Sequence, residues 1–128
     1  MGSPNGKRIL IVDDNPDLAQ SLKDLLELEG YHVATATEPV AALDLARTMA
    51  PEVCILDIEL PIMDGYELAR RLRESPATEH AMLIALTGYG RDHDQGRSRE
   101  AGFDHHLVKP VDVALLSRIV EGSTSSER

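Results

Sequence analysis

The chain has 128 residues, 42% of them hydrophobic and 27% charged, with a formal net charge of −9. That length suits one domain around one core, and a near-average composition excludes a fibrous or low-complexity protein. The negative balance excludes nucleic acid and anionic membrane as partners of this domain, since both require basic surface.

In chain order, residues 1–6 (MGSPNG) carry neither an apolar nor a basic signal character, so a cloning scar or disordered lead-in is expected there. RILIV (8–12) predicts a strand. PDLAQSLKDLLELEG (16–30) predicts a helix with Leu18, Leu22, Leu25, Leu26 and Leu28 on a wide apolar face. Pro16 suits its first turn, Asn15 or Asp14 its cap, and Gly30 its stop. YHVATA (31–36) reads as a second strand, and PVAALDLARTMA (39–50) as a second helix ended by Pro51. VCIL (53–56) is a third strand running into Asp57, and YELARRLRE (66–74) a third helix after the Asp64-Gly65 turn. The lone cysteine, Cys54, lies inside that apolar strand, which suits packing in a reducing cytoplasm. MLIALT (82–87) is a fourth strand, RDHDQGRSREAG (91–102) a weak fourth helix, HHLV (105–108) a fifth strand and VDVALLSRIV (111–120) the last helix. The domain is thus expected over 7–121, with 122–128 a frayed tail or linker. No run approaches the roughly 18 apolar residues of a membrane span.

Strand alternating with helix implies βαβ units and a parallel sheet covered on both faces, which explains why the strands are unbroken apolar runs. Ligands of such sheets bind where the strands' carboxyl ends emerge. Here those ends carry Asp13 and Asp14, Asp57, Thr87, and Lys109. Each alone has an ordinary explanation as a solvated strand end. Together, from four strands, they read as a site. Three carboxylates in one place repel one another and call for a cation. Mg²⁺ suits hard carboxylate oxygens and phosphate together, and the five histidines show no metal-ligand spacing. A carboxylate beside a divalent cation, faced by an ammonium and a hydroxyl, can accept a phosphoryl group, with Asp57 as nucleophile.

The set VDDNPD, ILDIELPIMDG, ALTG and LVKP resembles the receiver domain of two-component response regulators, from about Lys7 to Val120. The resemblance implies a flavodoxin-like (βα)5 doubly wound α/β sheet of order 2-1-3-4-5. It implies phosphoryl transfer from a histidine kinase to Asp57, switching an output domain or a phosphotransfer protein. Asp14 and Asp57 would ligate Mg²⁺ through side chains, Glu59 through its carbonyl and Asp13 through water. Thr87 and Lys109 would hold the phosphoryl group, and the Lys109-Pro110 peptide would be cis. Catalysis would be confined to the domain's own phosphorylation and dephosphorylation. FDHHLVKPVD is similar to receivers of hybrid sensor histidine kinases, so the domain is expected either alone or as part of a larger protein. One position departs from the family pattern: His106 stands where tyrosine or phenylalanine is usual, three residues before the lysine. His106 and Thr87 are the candidate switch pair.

Three competing readings fit less well. A dehalogenase-like phosphatase would want a second aspartate two residues after the nucleophile, near the first strand, whereas Glu59 follows the third. A flavin-binding module would want a hydroxyl- and glycine-rich loop where VDDNPD would repel phosphate. A partner-binding domain that forgoes phosphorylation would have no use for the reactive set that is present.

Overall fold

The computed structural model describes residues 6–88 and 99–122. Five parallel strands, β1 (Arg8–Val12), β2 (His32–Ala36), β3 (Val53–Asp57), β4 (Met82–Thr87) and β5 (His105–Val108), form one sheet of order β2-β1-β3-β4-β5. The helices are α1 (Pro16–Leu28), α2 (Pro39–Met49), α3 (Gly65–Glu74) and α4 (Val113–Glu121). The expected fold is therefore observed. The weak helix expected over 91–102 lies mostly outside the described residues; residues 99–101 are helical, and Gly102 follows at φ +106°.

Strand side chains alternate between faces. Ile9, Ile11, Ile55, Ile84 and Leu86 pack with Leu22 and Leu26 of α1 and Leu116 and Val120 of α4. Leu10, Val12, Cys54, Leu56 and Leu83 pack with Ala42 and Ala46 of α2 and Leu68 and Leu72 of α3. Burial on both faces is what makes the strands continuous apolar runs. Cys54 is a buried filler whose thiol burial pushes up to about 12, which leaves it inert.

Helix ends follow local chemistry. The Asn15 side chain caps α1 by accepting from the Asp17 and Leu18 amides, Asp64 caps α3 through Glu67, and Asp112 caps α4 through Leu115. The last cap starts α4 two residues later than expected. Leu25 and Leu28, expected on the buried face of α1, are solvent-exposed. The stripe of Ala19, Leu22 and Leu26 already covers the sheet, and the helix turns the other two away. Arg73 of α3 ties the far edge of the sheet, donating to the carbonyls of Ala81 at 2.6 Å and Gly102 at 2.7 Å and pairing with Asp104.

Candidate phosphoacceptor site

β1 is flanked by β2 on one side and β3 on the other, so the chain changes direction of winding between β1 and β3. At such a switch point the loops leaving adjacent strands part and open a crevice. Asp13 leaves β1 there and Asp57 ends β3. Ligand oxygens of Asp13, Asp14 and Asp57 lie within 4.8 Å of one another. Asp13 is wholly buried and Asp57 nearly so, whereas Asp14 is exposed. Each buried carboxylate is held by the backbone just after it: Asp13 Oδ1 accepts from the Asn15 amide and Asp57 Oδ1 from the Glu59 amide, both at 2.9 Å.

The free oxygens point to one cation. Lys109 Nζ, just past β5, lies 2.9 Å from Asp13 Oδ2 and 3.4 Å from Asp57 Oδ2. The Lys109-Pro110 peptide is cis, and the Lys109 amide donates to the Thr87 carbonyl at 2.8 Å, fixing where the side chain starts. Burial holds the Asp57 carboxyl above its ordinary value; Asp13 adds to this, and the Glu59 amide and Lys109 oppose it. Burial alone would depress the Lys109 ammonium, but pairing with Asp13 and Asp57 prevails and raises it.

Thr87 ends β4 in register with Val108 and is buried, and its Oγ1 finds no hydrogen-bond partner among the described residues. A buried hydroxyl in that condition is costly unless something else fills its capacity. His106 pairs in register with Ala85, so it shares a sheet face with Thr87, two residues on. It is half-buried, its ring 6.1 Å from that of Phe103, which in turn meets Tyr66 edge-on at 6.2 Å. Glu59 is exposed at the start of the loop leaving β3.

The arrangement therefore brings Asp13, Asp14, Asp57 and Lys109 into one cluster and places Thr87 at the end of the neighbouring strand. The donor set is hard oxygen without thiolate or imidazole, and burial holds one carboxyl high, so a divalent cation fits it. Two contributions to the site were not read from the residues. Asn15, expected as a cap of α1 and observed as one, also braces Asp13 through its backbone amide. Gly65 packs so tightly under β3 that a Cβ there would meet the Asp57 carbonyl oxygen and Ile58 Cα at 2.6 Å. The Asp64-Gly65 pair signalled a turn, but a close approach of backbone to backbone is invisible before folding.

Residues 9–121 match the family model of the response regulator receiver domain. An uncharacterised 14.6 kDa protein from Leptolyngbya boryana is 42% identical over 113 residues, covering 88% of this chain and 86% of the relative. The DNA-binding dual master transcriptional regulator RpaA of Synechocystis is 34% identical over 113 residues, and the match spans about half of that regulator, 47% of its length. The receiver domain of the sensor histidine kinase PA1611 from Pseudomonas aeruginosa, solved with magnesium coordinated in its active-site cleft, superposes with a TM-score of 0.80. It is 30% identical, covering 91% of this chain and 95% of that one. With the sheet order, the switch-point acids and the lysine already in view, the chain belongs to the receiver domain family of response regulators.

Proposed function

We propose that Asp57 is the residue that accepts the phosphoryl group in this two-component receiver domain. One observation carries the reading: a nearly buried carboxylate at the end of the central strand, with one oxygen held by a backbone amide and the other 3.4 Å from an ammonium. The Glu59 amide fixes the orientation of the Asp57 carboxylate, and Oδ2 attacks phosphorus. The bond from phosphorus to the donor nitrogen breaks, and its electron pair leaves with the imidazole. Lys109, shared with Asp13 beforehand, neutralises charge gathering on the transferred oxygens, and the Thr87 hydroxyl donates to one of them. Asp13, Asp14, Asp57 and the Glu59 carbonyl would hold Mg²⁺, which when bound offsets charge on the phosphoryl oxygens. The same groups, facing water instead of the donor, support the domain's own dephosphorylation.

The donor is the phosphohistidine of a histidine kinase, and the reading covers a cytoplasmic domain spanning 7–121 that acts on an output domain or phosphotransfer protein rather than on nucleic acid. Thr87 and His106 form its switch. They share a sheet face, His106 pairing with Ala85 and Thr87 standing two residues on, so a Thr87 hydroxyl drawn toward phosphate would open room on that face for the imidazole to move. Incubation with acetyl phosphate and Mg²⁺ followed by intact mass should show one added phosphoryl group. Asp57→Asn should abolish it, and Asp14→Ala should reduce it severely at low Mg²⁺. Persistent single labelling of Asp57→Asn would move the acceptor elsewhere.

A further inference from the structure

The loop between β3 and α3 exposes a side chain that the chemistry of Asp57 does not explain. Ile62 has φ +69° and is 93% exposed. The Met63 amide donates across it to the Pro61 carbonyl at 2.7 Å, which makes Ile62 the centre of a γ-turn of the rare, strained, positive-φ kind. That backbone is costly for any L-residue and most unusual for a β-branched one. A loose loop does not account for the exposure. Leu60 is buried, Met63 packs against the same core, and the Gly65 amide closes the loop on the Ile58 carbonyl at 2.9 Å. The chain is anchored on both sides of Ile62 and accepts strain to hold a large apolar group in water. Strain of this kind persists where surrounding structure over-determines it, and it clusters at functional positions.

Ile62 follows Asp57 by five residues, in a loop that starts and finishes against the end of β3. The Asp57 side chain is only 5% exposed, so a protein that phosphorylates it must seat on the surrounding loops. Besides Ile62, those loops and the start of α1 expose Asp14, Asp17, Glu38 and Glu59. We infer that Ile62 is the apolar contact by which the domain recognises the phosphohistidine-bearing protein that serves Asp57. That partner carries an apolar residue against Ile62 and basic residues against the acidic rim. The inference rests on Asp57 being the phosphoacceptor. A small phosphodonor needs no such contact.

The test compares wild type, Ile62→Val and Ile62→Asn, asparagine being tolerant of left-handed backbone. Radiolabel transfer is timed from an autophosphorylated histidine kinase, chosen as the fastest donor to wild type in a panel, and separately from acetyl phosphate. Ile62→Asn should slow kinase transfer by about tenfold or more, as expected when an interface anchor is lost. Ile62→Val should keep the wild-type rate, acetyl phosphate should label all three alike, and the Tm of Ile62→Asn should match or exceed wild type. Equal kinase transfer to wild type and Ile62→Asn overturns the inference. Equal losses with both donors do so as well, as does a panel in which no kinase labels wild type although acetyl phosphate does. Failure of acetyl phosphate to label wild type strikes instead at the phosphoacceptor reading, and the inference falls with it.

Discussion

Asp57 and Lys109 are held in opposite balances. Folding raises the Asp57 carboxyl, first through burial and then through Asp13, so the folded chain binds that proton more tightly than the unfolded chain does. Its stabilising contribution is complete below the ordinary carboxylate value of about 4 and is lost as pH rises through the raised folded value. At neutral pH without metal, ionised Asp57 therefore destabilises the fold. Asp57→Asn should raise the Tm there by a few degrees, roughly 1 kcal/mol, with the gain shrinking as pH falls toward about 4. Lys109 follows the same sense in a higher window: its raised pKa marks stability present throughout the neutral range and lost only at strongly alkaline pH. Lys109→Ala strips the partner from wholly buried Asp13 and should cost about 2 kcal/mol in urea denaturation at pH 7. That is less than the roughly 3–5 kcal/mol of a fully buried pair, because Lys109 is a quarter exposed. Melts across pH in chelator check both; a Tm of Asp57→Asn that stays below wild type at pH 7 contradicts this electrostatic balance.

The elements that carry these residues were legible to different degrees. Strands showed clearly because burial on both faces forces apolar runs, and the residue ending each run was visible with them. Helix faces showed less well. Leu25 and Leu28 fit the apolar period of α1 yet face water, because the width of the contact is set by the sheet beneath and not by the helix. The γ-turn at Ile62 was not legible at all, since an isoleucine gives no local signal for left-handed backbone. Gly65 is similar: its need for the absence of a side chain comes from the Asp57 carbonyl, a contact between the two ends of a loop. Gly65→Ala must push α3 from β3 or tilt the strand end. It should cost roughly 1–3 kcal/mol, as overpacked sites do, and it should slow acetyl phosphate labelling as Asp57 shifts. Unchanged stability and labelling in that variant would show that the strand end does not need this close approach.

Across the whole molecule, one parallel sheet changes winding direction between β1 and β3 and gathers side chains that are up to 96 residues apart in sequence, from Asp13 to Lys109. That convergence was legible because strand ends in parallel sheets share one edge; the distances within it, and the aromatic contact of His106 with Phe103, belong to tertiary packing. Burial sets the charge of Asp57 against the fold and Lys109 opposes it, and the clustered carboxylates of Asp13, Asp14 and Asp57 could hold a metal ion. The identity of the phosphorylated residue is the central claim. Borohydride reduction of the acetyl phosphate-treated protein converts an aspartyl phosphate to homoserine, and peptide mapping then shows where homoserine stands. It should be found at position 57 and nowhere else; homoserine at Asp13 or Asp14, or none at 57 in a protein that has gained phosphoryl mass, would contradict the assignment.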